Sequence, residues 1–215
     1  MKLPQGASRA RRTPRVATKK AYHHGDLRRQ LVRAAYRLVK RDGHAHFRVA
    51  EACKLAGVST AAPYKHFEDR EAILEAVATE GFGRLRDGML SRLDGVAPGS
   101  RAAITAIGHG YVGFALTEPH VFRLMFGGDP SGTVHDPDHP DDAEQRSPFE
   151  VLTRHVGLFL ELDADAPGTQ RSALALWTFV HGLAALQIEE KLGVTTATVE
   201  GMVEMAAERL LPAFD

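Results

Sequence analysis

Gly57 stands between two short apolar-periodic segments, and that junction constrains the chain more than any other stretch. Val49, Ala52, Cys53 and Ala56 fall at three- and four-residue intervals before it; Val58, Pro63 and Phe67 follow. Such spacing marks one face of a helix. It predicts a helix over Val49 to Ala56 and a tight turn at Gly57, where positive φ costs a glycine least. A third helix should then run from an N-cap at Ser59 through Phe67. Upstream, Leu27, Leu31, Ala34, Ala35, Leu38 and Val39 predict a supporting helix from Asp26 to Asp42, with Gly43 as its left-handed cap. Arg28, Arg29, Arg33, Arg37 and Lys40 lie mostly on its other side. This is the layout of a helix-turn-helix, which lays its second helix in the major groove of duplex DNA.

Charge divides the chain at the same place. Residues 1 to 70 hold 17 Lys+Arg against 5 Asp+Glu, a net of +12, and residues 71 to 215 hold 10 against 22, a net of −12. A basic part suited to a polyanion therefore adjoins an acidic part that is not. Residues 1–21 carry seven basic and no acidic residues among Pro4, Gly6 and Pro14, and read as an arm disordered in isolation. Residues 22–70 read as the DNA-binding domain and residues 71–215 as a helical domain for effector binding and dimerisation.

Beyond Asp69, a plausible cap for a helix opening at Arg70-Glu71, the pattern stays helical and no strand pattern appears. Helices are expected from Glu71 to about Leu93, weakened at Gly81, Gly83 and Gly88, and over Arg101 to Thr117. A short apolar segment spans His120 to Phe126, and further helices span Pro148 to Leu162, Thr169 to Leu192 and Thr195 to Leu211. The expectation is an all-α chain of about nine helices. Cys53 is the one cysteine, so an intrachain disulfide or a cysteine metal cage is excluded. No apolar run reaches the roughly 18 residues of a membrane span and no secretory h-region follows the basic N-terminus; a cytoplasmic setting is expected.

On the residues Gly43, Val49, Ala56-Gly57-Val58-Ser59, Tyr64, His66-Phe67 and Arg70-Glu71-Ala72-Ile73-Leu74, the N-terminal part resembles the TetR family of bacterial transcriptional regulators. Tyr22-His23-His24-Gly25-Asp26-Leu27, Phe122-Arg123-Leu124-Met125-Phe126 and Trp177-Thr178-Phe179-Val180-His181-Gly182 resemble one subgroup, named for a Trp-His-Gly signature in its ligand domain. The resemblance implies an all-helical homodimer joined by its last two long helices, at about 169–192 and 195–211, and a C-terminal domain that binds a small molecule. Three positions depart from the family pattern. Arg48 stands where Thr or Ser commonly caps the second helix, Pro63 where leucine is commoner, and Arg70 where a phosphate-contacting lysine is usual.

Spacing assigns the faces of the third helix. Val58, Pro63 and Phe67 should turn inward with Ala52, Ala56 and Leu38. Ser59, Thr60, Ala61, Tyr64 and Lys65 should face a duplex. Thr60 and Ala61 are small enough to approach base edges, where a methyl can meet a thymine methyl. Tyr64, Lys65, His66 and Arg70 suit phosphates, which set register without specifying sequence. Arg48 could serve either use, and Lys19 and Lys20 belong to the arm. Cys53 should be buried.

In the C-terminal half, Phe114, Phe122, Met125, Phe126, Phe159 and Trp177 are candidates for an apolar effector pocket, with His155 and His181, and also His109 and Tyr111, as polar groups. The effector is unknown, and neither a cofactor nor a metal is implied. His135-Asp136-Pro137-Asp138-His139-Pro140-Asp141-Asp142 fits a solvated loop better than a metal site, since two prolines fix no ligand geometry. No P-loop, Rossmann glycine pattern, His-Glu-x-x-His or Gly-x-Ser-x-Gly is present, so catalysis has no motif behind it. Two rival readings are a sequence-indifferent DNA-coating protein and a helical enzyme without motif. The aromatic-rich acidic half favours a sensor, because coating needs no pocket. Removing Lys65 or Lys20 is expected to weaken binding to every duplex alike and to flatten the log–log salt dependence by about 0.9 per lost phosphate contact; an unchanged slope in a salt titration removes that lysine from the interface.

Overall fold

A computed structural model describes residues 24–127 and 147–211. The arm at 1–21, with Lys19 and Lys20, lies outside these residues, as does the His135–Asp142 stretch. The described residues form eight α-helices: α1 (His24–Asp42), α2 (Val49–Ala56), α3 (Arg70–Leu90), α4 (Arg101–Thr117), α5 (Pro119–Gly127), α6 (Pro148–Leu160), α7 (Pro167–Ile188) and α8 (Thr196–Arg209). Short 3₁₀ turns at His44–His46, Pro63–Lys65 and Ser91–Leu93 link them. No strand occurs among the described residues.

The helix ends follow local chemistry. Asp69 caps α3 by accepting the Ala72 amide at 2.8 Å. Ser100 and Thr195 do the same for α4 and α8, and Ser147 with Glu150 forms a reciprocal capping box on α6. α2 closes on Gly57 at φ 70, with Val58 N–H donating to the Cys53 carbonyl at 3.0 Å and Gly57 N–H to that of Lys54 at 3.2 Å; the pair of bonds is a Schellman motif. Gly43 differs from its expected left-handed cap. Its φ of 82 combines with ψ 159, an extended mirror region open essentially to glycine alone. A Cβ there would also stand 3.3 Å from His120 Nδ1.

One apolar core runs from α1 through α3 into the α4–α8 bundle. α3 does not break at Gly81, Gly83 or Gly88. Its end lies so close to α4 that a Cβ on Gly110 would fall 2.7 Å from Met89 Cα, so the crossing requires a bare backbone there.

The basic head meets the acidic body at Glu118, which ends α4. Its buried carboxylate accepts the Tyr36 hydroxyl through Oε2 and the Lys40 ammonium, 2.9 Å from Oε1. Burial and the neighbouring carboxylate push the Tyr36 phenol far above its ordinary pKa, so it remains a donor. Arg84 of α3 lies over the Tyr36 ring at 4.1 Å. Replacing Glu118 by alanine leaves a buried hydroxyl without its acceptor, while the half-exposed Lys40 regains water. The expected cost is about 1–3 kcal/mol in urea unfolding. Adding Tyr36→Phe should cost nothing further, since the orphaned group is gone; two fully additive losses would contradict the pairing.

Candidate nucleic-acid interface and ligand cluster

The segment after Gly57 departs from the expected third α-helix. It is a turn leading into the 3₁₀ residues Pro63–Lys65. Ala62 N–H bonds Ser59 at 3.0 Å and Lys65 N–H bonds Ala62 at 3.4 Å, both one residue short of an α-helical step. Pro63 is the physical reason. It has no N–H to return to Ser59, so the α ladder cannot run through it. Only Phe67 N–H, on Pro63 at 3.0 Å, makes the longer bond. Ser59 therefore has no α-helix to cap.

The faces nevertheless lie as their spacing implies. Pro63 and Phe67 are buried and Val58 packs on the core, while Ser59, Thr60, Ala61, Tyr64 and Lys65 are exposed, Tyr64 by 61%. Arg48 is exposed at the head of α2 and makes no side-chain cap. Arg28 lies 5.1 Å above the Phe67 ring, bracing the segment against α1. His66 is half-buried, and its Nε2 is enclosed without a hydrogen-bond partner. Arg70 is occupied within the head. It donates to the Phe47 carbonyl at 3.2 Å and the His44 carbonyl at 2.6 Å, and pairs with Glu71 at 2.8 Å. Cys53 is buried, and desolvation raises its thiol pKa.

The C-terminal candidates separate into two groups. Phe122, Phe126, Trp177 and His181 converge on Tyr111. The Tyr111 hydroxyl and His181 Nδ1 are 2.8 Å apart. The imidazole stacks on Phe122 at 5.4 Å and meets Phe126 edge-on at 4.7 Å. Tyr111 meets Trp177 at 4.8 Å, and Phe149 closes the far side of the indole at 5.5 Å. Met125 packs against α3 at Gly81, and Phe114 is buried in the core. His155 and Phe159 lie apart. His155 Nδ1 accepts the Gly99 amide at 3.4 Å, and Phe159 lies 5.1 Å under the Arg101 guanidinium. His109 reaches the Glu200 carbonyl at 3.3 Å. The Tyr36–Glu118 contact had no sequence signal beyond a tyrosine in an apolar stripe and a carboxylate at a helix end.

α5 joins these regions. His120 faces Gly43, Phe122 and Phe126 face His181, and Arg123 pairs with Glu189 past the end of α7 at 2.8 Å. On α7 and α8, Leu174, Leu186 and Met205 are exposed, and a Cβ on Gly182 or Gly201 would meet nothing. No group of three metal-ligating side chains occurs among the described residues, and none of the described helices is long and apolar enough to cross a membrane.

Residues 104–210 match the family described as tetracyclin repressor-like, C-terminal domain. A protein of unknown function from Rhodococcus sp. RHA1 is 30% identical, with 90% of this chain and 97% of that chain covered and a TM-score of 0.62. At that identity over that span the two chains belong to one family. A TetR-family transcriptional regulator from Streptomyces coelicolor shares the fold at 17% identity and TM-score 0.66, covering 86% of this chain and 80% of that one. So does the transcriptional regulator FadR of Bacillus subtilis, in complex with stearoyl-CoA, at 13% identity and TM-score 0.54, covering 87% and 99%. No curated protein matches by sequence.

Burial pushes the imidazoles of His181 and His155 below their ordinary value, and for His155 the Arg154 charge adds to the effect. The unfolded chain then binds protons that the folded chain refuses. Stability is complete above the ordinary histidine pKa and is lost as pH falls through it toward the folded values. The carboxylates of Asp42 and Glu189, held low by Arg41 and Arg123, titrate below this window. Thermal midpoints are therefore expected to fall between about pH 7 and pH 5. His181→Gln or His155→Gln should make the decline shallower; an undiminished slope in both would contradict the assignment.

Proposed function

We infer that this chain, a TetR-like protein carrying the tetracyclin repressor-like C-terminal domain across residues 104–210, is a DNA-binding transcriptional regulator that answers to a small molecule. The observation that carries the reading is the surface after Gly57. Thr60, Ala61, Tyr64 and Lys65 project together, with Arg48 also exposed, while Pro63 and Phe67 anchor the same turn in the core. Small side chains at the tip permit approach to base edges, and the cations around them meet phosphates.

The chain acts as a homodimer through α7 and α8. Leu174 is 57% exposed on α7, a large cost for a leucine in water, and Leu186, Gly182 and Ala185 continue the stripe toward its C-terminal end. Small residues there let a second copy of the helix approach closely. Two reading heads related by a two-fold axis would meet successive major grooves about 34 Å apart. Trp177 and His181-Gly182 support placement in the Trp-His-Gly subgroup, and repression, with release on ligand binding, is the regulatory sense we assign.

The effector seat is the ring cluster around Tyr111 and His181. The stearoyl-CoA carried by FadR supports a ligand role for this fold. A ligand changes operator affinity only if it favours one arrangement of the heads over another. α5, whose Phe122 and Phe126 meet His181 and whose His120 faces Gly43, is the element able to relay such a preference. Selection of bound duplexes from a random pool tests the whole reading. The expected winner is a near-palindrome with half-sites one helical turn apart. Recovery of unrelated sequences would replace a sequence-reading dimer with a coating protein.

A further inference from the structure

Arg29, Arg33, Arg37 and Arg41 recur at every fourth residue of α1, and all four are exposed. The opposite side of the helix, with Leu31, Ala34, Ala35, Leu38 and Val39, is buried in the core. Residues four apart share one side of a helix and lie about 6 Å from one another along its axis, so the row extends for about 18 Å. Resting on the DNA-binding reading above, we propose that this outer face of α1 is a second duplex-binding surface, on which Arg33 and Arg37 hold backbone phosphates without regard to base sequence.

The middle of the row is uncompensated. Arg41, at its end, is held by Asp42 at 2.8 and 2.5 Å, and the adjacent Lys40 by Glu118 at 2.9 Å. Among the described residues no carboxylate pairs with Arg33 or Arg37. The acidic residues of α1 are Asp26 and Asp42, one toward each end. Like charges one turn apart destabilise a helix, so folding alone gives no reason for the row. Its members are arginines, whose planar forks grip two oxygens of a phosphate where a lysine offers a point charge. The row is also continuous with the reading surface at both ends. Arg28, beside its first member, lies 5.1 Å over the Phe67 ring. Arg41, its last, lines one open concavity with Asp42, His46, Arg48 and Glu51.

An anionic lipid surface is the other polyanion that such a row could meet. A helix lying on lipid inserts an apolar face beneath its cations. On α1 the apolar face is already occupied by the core, and every exposed residue from 28 to 41 is an arginine or a lysine. A duplex asks for no apolar face, because cations that neutralise its phosphates gain by releasing condensed counterions.

Fluorescence anisotropy of the full chain with a mixed-sequence duplex several helical turns long, over a series of salt concentrations, tests the proposal. Arg33→Gln together with Arg37→Gln is expected to lower the log–log salt slope by about 1.8 per head, two contacts at about 0.9 each. Arg33→Lys with Arg37→Lys keeps both charges and should keep the slope, which a variant that failed to fold would not. Arg154→Gln, which removes an exposed arginine from α6 of the body, should leave the slope unmoved. An unchanged slope in the glutamine pair, or an equal drop from Arg154→Gln, overturns the second surface. Lys65→Gln measured alongside separates the proposal from the reading beneath it. If that lysine flattens the slope and the arginine pair does not, the turn after Gly57 stays on DNA and α1 leaves it. If the unaltered chain binds no duplex at low salt, both fall. If the arginine pair loses binding to phosphatidylglycerol vesicles and keeps its duplex slope, the face belongs to lipid and the proposal is overturned.

Discussion

One buried carboxylate ties the two halves of this molecule across the apolar core they share. Glu118 sits where α4 ends and α5 begins, and its two oxygens are taken by Tyr36 and Lys40 of α1. A buried carboxylate is tolerable only when its acceptor sites are filled, so α1 cannot withdraw without leaving an anion facing apolar surface. The neighbouring contact has the same logic in steric form. Gly43, at the end of α1, leaves just enough space for His120 of α5. Beside the apolar core that runs through both, head and body thus share this polar clasp and this shape match, less than two helical turns apart on α1. The helix that carries this junction also supplies Phe122 and Phe126 to the rings around His181. Head, clasp and ring cluster thus share one short element.

Much of this was legible in the sequence where the decisive physics is local. The bounds of α2 and α4, the Asp69 cap and the turn at Gly57 follow from residues within a few positions of one another. The inward and outward faces of the segment after Gly57 were also readable, because both a 3₁₀ and an α turn bring residues three or four apart to one side. The conformation of that segment was not. A helix pattern with a proline near its first turn fits either an intact helix or a broken one, and the missing N–H of Pro63 fell at a step the ladder needed.

The long-range contacts left no comparable signal. Tyr36 and Glu118 are 82 residues apart, and Tyr111 and His181 are 70 apart. A tyrosine in an apolar stripe and a glutamate before a proline look ordinary until helix crossings bring them together. The aromatic residues of the body were visible as a set, but their partition was not. Phe122, Phe126, Trp177 and His181 meet, while His155 and Phe159 face the opposite end of α4. Which ring meets which depends on small-residue crossings such as Gly110 against Met89, and these are set by the angles between helices.

The close helix crossings of the interior, as at Gly110 and Met89, have a mechanical corollary. An interior filled nearly to crystalline density has low compressibility, and a local push is passed on where a looser core would soak it up. A displacement of α5 by an ångström cannot dissipate into slack among α3, α4 and α7. It must emerge at the surface where the body meets the head. The stiffness of those close crossings is thus also what would let the body work as a transmission.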